Sequence, residues 1–331
     1  MQIINSDALE ALRTLPDCCC STCITSPPYY WLRDYGADGQ IGLEDTPEQY
    51  IENLVKIFRE VHRVLKDDGT LWVNIGDSYA GSGKGRNRDG VFKEKAENIQ
   101  SAGQKKSRIR RTLEGCGLKR KDLIGIPWLL AFALRADGWY LRSDIIWQKP
   151  NAMPESVKDR PTRAHEYIFL LSKSSLYYYN AEAVKEPAVG FYNAAPAGSN
   201  GTRKPNARRR GNSRTFRGGG AYIHNRAQNN SSTVERESHG LAPNESGKRN
   251  RRSVWTIATR PYKGTHFATF PEELVRPCIL AGSKPGDIVL DPFAGSGTTG
   301  AVARQEGRDF IGIEINSHYC EIIKQRLETC C

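Results

Sequence analysis

Apolar positions along this chain follow two spacings that take turns from one end to the other. Runs that alternate, or stay apolar over a few residues, read as strands; apolar residues three and four apart read as helices. Gln2 to Ile4 is a first short strand, and Asn5-Ser6-Asp7 supplies N-cap residues for a helix over about residues 8–15. Cys18 to Ile24 is a second strand, and Pro27-Pro28 ends it because neither proline can donate to a ladder. Pro47 to Leu65 carries Tyr50, Leu54, Ile57, Phe58, Val61 and Leu65 at helical spacing, with Thr46 as N-cap. Lys66-Asp67-Asp68-Gly69 reads as a turn, and Thr70 to Ile75 as a third strand closing at Gly76-Asp77.

Periodicity lapses over residues 80–121, which read as a loop, and returns in a helix from Pro127 to Arg135 with Gly138 beyond its end. Trp139 to Trp147 and His165 to Leu171 read as strands. Residues 187–252 are poor in aliphatics and rich in Asn, Ser, Gly and Arg; a structureless stretch of this length is usually functional or disordered. Beyond it come a strand from Val254 to Ile257 and a helix opening at Phe270-Pro271 and running to about Leu280. Strand Asp287 to Leu290, a helix to about Gln305, strand Asp309 to Ile315 and helix His318 to Leu327 complete the pattern. Strands alternating with helices predict an α/β fold with a mostly parallel sheet covered on both faces.

Composition narrows the class. A chain of 331 residues can bury one large or two small cores. No run of eighteen apolar residues appears, so no span of a membrane is expected. The opening MQIINSDALEALRTL has neither a basic n-region nor an apolar h-region, so no secretory signal is expected. Nine cysteines, several of them adjacent, fit a reducing cytoplasm better than a disulfide framework. The net charge of +11 is unevenly placed. Residues 84–121 hold 13 Lys and Arg against 4 Asp and Glu, residues 203–260 hold 14 against 3, and the rest of the chain is left with 21 against 30. Two basic segments on an acidic scaffold point to a polyanion as partner; two solvated loops without one would look the same.

Two stretches carry candidate chemistry. Thr25-Ser26-Pro27-Pro28-Tyr29-Tyr30 follows a strand, where open α/β sheets bind ligands. It offers a hydroxyl, carbonyls without competing N–H groups, and aromatic faces, a set that holds a flat heterocycle and accepts from an amino group. The same residues also suit a strand-ending turn above an aromatic core. The second stretch is Gly295-Ser296-Gly297-Thr298-Thr299-Gly300, between a strand and a helix, with Glu314 at the end of the next strand. This is the layout of a nucleoside-binding half, glycines approaching the ligand and the acid accepting from ribose hydroxyls. It would equally serve a nicotinamide dehydrogenase, but Asp291-Pro292 ahead of the glycines would repel a pyrophosphate and suits a cationic ligand such as S-adenosylmethionine.

Asp291-Pro292-Phe293-Ala294-Gly295-Ser296-Gly297-Thr298-Thr299 resembles the cofactor motif of site-specific DNA amino-methyltransferases, and Thr25-Ser26-Pro27-Pro28-Tyr29 resembles their catalytic motif. Asn5-Ser6-Asp7-Ala8-Leu9 is similar to the turn that contacts the cofactor's adenine in that family, and His266-Phe267-Ala268-Thr269-Phe270-Pro271 to the motif preceding the glycine loop. The order, catalytic motif first and cofactor motif last, resembles the circularly permuted beta class. The resemblance covers about two-thirds of the chain and leaves out both basic segments. It implies a Rossmann-like fold with inserted basic loops: residues 1–186 as the catalytic part, 187–252 as a target-recognition insert, and 253–331 as the cofactor-binding part.

It also implies S-adenosylmethionine as cofactor, double-stranded DNA as partner, a cognate restriction endonuclease as a possible companion, and action as a monomer or homodimer. The catalytic set it implies is Ser26, Pro27, Pro28 and Tyr29. Ser26 and the Pro27 carbonyl accept from the target amine, and Tyr29 stacks a flipped-out base. The cofactor set is Asp7, Thr25, Phe270, Asp291, Pro292, Phe293, Gly295, Ser296, Gly297, Thr298 and Glu314. The DNA contacts fall to Arg208, Arg209, Arg210, Arg214 and Arg217, and to Lys105, Lys106, Arg110 and Arg111. Serine before the prolines accompanies cytosine N4 methylation in this family, and Asp or Asn accompanies adenine N6 methylation. Asp77, at a strand end near the catalytic loop, either orients the base or loop or serves as a turn or cap acid. Pro277-Cys278, the dipeptide a cytosine C5 enzyme would need, falls mid-helix and reads as core. Cys18, Cys19, Cys20 and Cys23 lack a paired Cys/His set at zinc spacing, so no metal is expected. An RNA or protein methyltransferase and an inactive DNA-binding protein are the alternatives of other classes.

Overall fold

The computed structural model describes residues 1–32, 39–80, 117–188, 247–259 and 270–329. β1 (Gln2–Asn5) leads into α1 (Ala8–Thr14), which Asp7 caps by accepting from the N–H groups of Leu9 and Glu10. β2 (Cys20–Thr25) is buried at every position. α2 (Pro47–Val64) starts behind Thr46, whose hydroxyl accepts from the Gln49 N–H, and runs into β3 (Leu65–Ile75). α3 (Ile126–Ala136), β4 (Tyr140–Gln148) and β5 (His165–Ser172) follow. β6 (Glu186–Pro187) and β7 (Lys248–Arg249) pair antiparallel with each other, and Arg249 adds an ion pair to Glu186 at 2.9 Å. β8 (Val254–Thr256), α4 (Glu272–Gly282), β9 (Ile288–Asp291), α5 (Thr298–Gln305), β10 (Asp309–Glu314) and α6 (Ser317–Thr329) complete the described elements.

Eight strands form one sheet in the order β1-β10-β9-β2-β3-β5-β4-β8. Pairing is parallel except where β5 runs against β3 and β4. Successive side chains leave a strand on opposite faces. Cys23, Leu71, Val73, Leu290 and Ile311 therefore join a core under α1, α2 and α3, while Ile24, Trp72, Val289 and Phe310 join a second core under α4, α5 and α6. Both faces are covered, which is why these strands read as nearly continuous apolar runs rather than alternating ones.

β2 and β9 are neighbours, yet the helices that follow them go to opposite faces, α2 to the first core and α5 to the second. A sheet opens a crevice at its C-terminal edge where consecutive crossovers part in this way. Both candidate loops leave the sheet at that point, so the catalytic strand precedes the cofactor strand in sequence but stands beside it in space.

The turn expected at Lys66–Gly69 lies inside β3. Cys20 pairs with Leu65 and Thr22 with Thr70, so β3 carries surplus residues that bulge out of the ladder. Their polar groups find partners: Lys173 donates to the Gly69 carbonyl at 3.1 Å, Tyr178 to that of Asp68 at 2.9 Å, and the Lys66 ammonium pairs with Asp287 at 2.9 Å.

By compactness the chain divides into one unit of Met1–Val184 with Asn250–Cys331 and another of Lys185–Arg249. Among the described residues no helix is long and apolar enough to cross a membrane.

Candidate active site

Asp291 ends β9 with 1% of its surface exposed. Its carboxylate accepts from the Thr25 hydroxyl at 2.6 Å, the Thr299 hydroxyl at 2.7 Å and the Phe293 N–H at 3.1 Å. One buried acid thus ties the end of β2 to the first turn of α5. Burial pushes this carboxyl up to about 6, against the three donors that pull it down. Gly295 and Gly297 then take φ of 54° and 75°, the left-handed region that glycine enters without strain. A Cβ on Gly300 would stand 2.7 Å from the Phe310 ring, so the third glycine lets α5 lie directly on β10.

Glu314 ends β10. Its carboxylate receives the Gly295 N–H and the Asn316 N–H, each at 2.9 Å, and so braces the glycine loop while keeping lone pairs free. Burial raises its carboxyl above the usual range, against the pull of those N–H groups. Arg326 of α6 braces the loop from behind, donating to Thr298 Oγ1 at 3.0 Å and to Glu272 at 2.8 Å.

Between these elements lies an open cleft with about 860 Å³ of empty space. Asp7, Ser26, Pro28, Phe270, Phe293, Gly295, Ser296, Thr298 and Glu314 line it, with Ala8 and Ala294 of the same two motifs, joined by residues that sequence did not single out: Gln40, Ile41, Ile313, Ile315 and Tyr319. Two acids beside apolar and aromatic walls suit a ligand with a flat heterocycle, hydroxyl donors and positive charge. Thr25, Pro27, Pro292, Gly297 and Asp291 lie off the lining; of these, Thr25 and Asp291 meet each other beneath it.

Tyr29 is also off the lining. Its phenol donates to Glu166 at 2.7 Å and faces Asn74 Oδ1 at 3.3 Å, and its ring packs on Gly76. Burial and the Glu166 charge both drive the phenol well above its ordinary value. Asp77 serves as a cap: its carboxylate accepts from the N–H groups of Gly125 and Ile126 at the start of α3, at 3.0 and 3.1 Å. The stem beside it is closed, with Ala80 and Lys121 hydrogen-bonded and Tyr79 bridged to Leu123.

Cys278 is buried in α4, its thiol donating to the Leu274 carbonyl at 3.4 Å, and burial pushes it up. No group of three or more His, Cys, Asp or Glu among the described residues is placed to hold a metal. Lys105, Lys106, Arg110, Arg111, Arg208, Arg209, Arg210, Arg214, Arg217 and His266–Thr269 lie outside the described residues.

A permuted α/β sheet, an acid-braced glycine loop and a proline loop at one crevice define an S-adenosylmethionine-dependent methyltransferase. Residues 20–325 match the family of DNA methylases of the N6/N4 type, and the chain belongs to that family. DNA is its substrate and S-adenosylmethionine its cofactor. It is 47% identical over 326 residues to the type II methyltransferase M.Cfr9I of Citrobacter freundii, covering 98% of this chain and 87% of that one. To the type II methyltransferase M.SmaI of Serratia marcescens it is 46% identical over 327 residues, covering 98% and 90%. The fold is similar to that of the PvuII cytosine-N4-specific DNA methyltransferase, with a TM-score of 0.60 at 17% identity over 98% of this chain and 85% of that one.

Proposed function

We propose that this enzyme methylates the exocyclic N4 of a cytosine flipped out of duplex DNA. The observation that carries the reading is Ser26, a neutral hydroxyl at the head of the proline loop and on the wall of the cleft. In this family serine at that position goes with cytosine, and the PvuII enzyme, of similar fold, bears a cytosine-N4-specific name. When bound, the cofactor supplies an electrophilic methyl group. Asp7, Glu314, Phe270, Phe293 and Tyr319 line the cleft and would hold it, the two acids as acceptors for its donors and the aromatic side chains as apolar wall. An exocyclic amine is a poor nucleophile because its lone pair is shared with the ring. Ser26 Oγ and the Pro27 carbonyl accept its hydrogens and favour a pyramidal nitrogen, so the work is orientation and electrostatics. The half-buried Tyr29 ring offers its open part to the flipped base. Residues 185–249 act as the target-recognition unit, and the basic residues there and in 84–121 hold phosphate. The type II names of its relatives favour a cognate endonuclease for the same site as companion.

Expression in a methylation-free host, with sequencing and mass spectrometry of the host DNA, tests the reading. N4-methylcytosine in one sequence context is expected. N6-methyladenine would overturn the choice of base while sparing the amino transfer, which the same acceptors would serve; unmodified DNA would overturn the whole.

A further inference from the structure

The Tyr29 ring is held from strands other than the one that carries it. Tyr29 follows β2, but its phenol donates to Glu166 of β5 at 2.7 Å and faces Asn74 Oδ1 of β3 at 3.3 Å. Its ring rests on Gly76, just past β3, where a Cβ would stand 2.5 Å away. Glu166 is fixed in turn. It is ion-paired with Lys149, which follows β4 and whose N–H donates to the Ala164 carbonyl at 2.8 Å. The Lys149 ammonium also lies 4.2 Å from the centre of the Trp147 ring, and Trp147 stands opposite Glu166 in the β4–β5 ladder. This is more than burial of the ring requires. Asn74, whose NH₂ is anchored on the Tyr167 carbonyl at 3.1 Å, already offers the phenol an acceptor. Glu166 has donors without the phenol, in Lys149 and in the Asn74 NH₂ at 3.4 Å. Lys149 and Glu166 are 18% and 17% exposed, and a pair so shielded adds little net stability.

We propose that Glu166, held by Lys149, is a positioning residue: it locks the Tyr29 ring in one plane, ready for the flipped base to stack on. A ring free to turn about its side-chain torsions must be stilled when a base settles on it, and that lost freedom weakens capture. A ring already tethered by its hydroxyl loses little more. The hydroxyl therefore matters to turnover, although it is the ring face that meets the base. This separates the proposal from stacking alone, under which phenylalanine would serve as well as tyrosine. Tyr29, Glu166 and Lys149 all lie off the lining of the cofactor cleft, so the effect belongs to the base and not to the cofactor. The proposal rests on the reading of Tyr29 as the stacking partner of a flipped base, and it holds for cytosine and adenine alike.

The test is single-turnover methyl transfer at saturating enzyme, on a duplex bearing the mapped site, with cofactor affinity by calorimetry and thermal unfolding alongside. Tyr29→Phe keeps the ring and removes only its tether. Its rate is expected to be about 3–10-fold lower at unchanged cofactor affinity. Glu166→Ala should lose about as much, and Glu166→Gln less, because an amide can bond the phenol in either orientation. Tyr29→Phe combined with Glu166→Ala should cost no more than either alone, since both cut the same bond. Wild-type rate in Tyr29→Phe or in folded Glu166→Ala overturns the proposal, as do losses that multiply in the double variant. Equal losses in Glu166→Gln and Glu166→Ala also overturn it, because they would assign the effect to the charge. A purely structural Glu166 would lower the melting temperature and leave the rate of the folded enzyme unchanged, which again overturns it. Should Glu166→Ala not fold, Tyr29→Phe decides: a rate about 3–10-fold lower supports the proposal, and an unchanged rate overturns it. Wild-type protein that transfers no methyl to DNA would overturn the reading of function as well, and it is told apart because no variant is needed to see it.

Discussion

Asp291→Asn is expected to stabilise the protein. The carboxyl titrates near 3.8 when free and at about 6 in the fold, because burial outweighs its three donors. The folded state therefore binds the proton more tightly between these values. The stability this group contributes is complete below about pH 4 and is lost as the pH rises through about 6. At about 1.4 kcal/mol per pH unit, the gap amounts to about 3 kcal/mol at pH 7.5. Asparagine copies the uncharged acid in shape, with one threonine hydroxyl turning to accept from its NH₂. The unfolding free energy should rise by up to about 3 kcal/mol at pH 7.5, and the difference should shrink towards zero near pH 4. Urea unfolding at several pH values, without cofactor, measures this. A variant less stable than wild type at pH 7.5, or a difference that ignores pH, would refute the reasoning. A gain would mean that the carboxylate is kept for its function at the expense of the fold.

Three further outcomes follow from the site and the basic segments. Glu314→Ala should weaken cofactor binding by about 1–3 kcal/mol in calorimetry, since it strips an acceptor from a half-buried site. Gly76→Ala places a Cβ 2.5 Å from the Tyr29 ring; it should displace the ring, cost about 1–3 kcal/mol in denaturant unfolding, and slow transfer without changing cofactor affinity. Neutralising Arg208, Arg209 and Arg210 together should flatten the slope of log K for duplex DNA against log salt by about 0.9 for each phosphate no longer neutralised.

Both site-bearing loops were legible because each breaks a strand with residues of fixed backbone meaning, Pro27-Pro28 in one and Gly295 to Gly297 in the other. The sheet was legible because its strands are apolar on both faces. The bulge at Lys66–Gly69 was not, since four polar or small residues look the same in a turn and in a strand that must absorb extra length. Asp77 was ambiguous for a different reason: the N–H groups it caps lie 48 and 49 residues away. Glu166 carried no signal at all. In sequence it is one polar residue near the start of a strand, and only the pairing of β5 with β3 and β4 sets it between Lys149 and Tyr29. Asp291 was read as facing the ligand; its burial behind two threonines follows from how closely β2 and β9 approach.

The bond between Thr25 and Asp291 spans 266 residues of chain, and this bears on how the protein is made. β2 is an interior strand, flanked by β3 and β9. During translation its β3 side is filled early, but its other side stays bare until β9 leaves the ribosome. At roughly 5–20 residues per second that interval lasts about 10–50 s. β1 has an even longer wait, since its one partner among the described strands is β10. The growing chain thus carries the middle of its sheet as a temporary edge, the kind of surface that recruits foreign strands. Every message truncated before residue 291 would yield a protein holding that edge permanently, with the proline loop in place and no pocket to serve it.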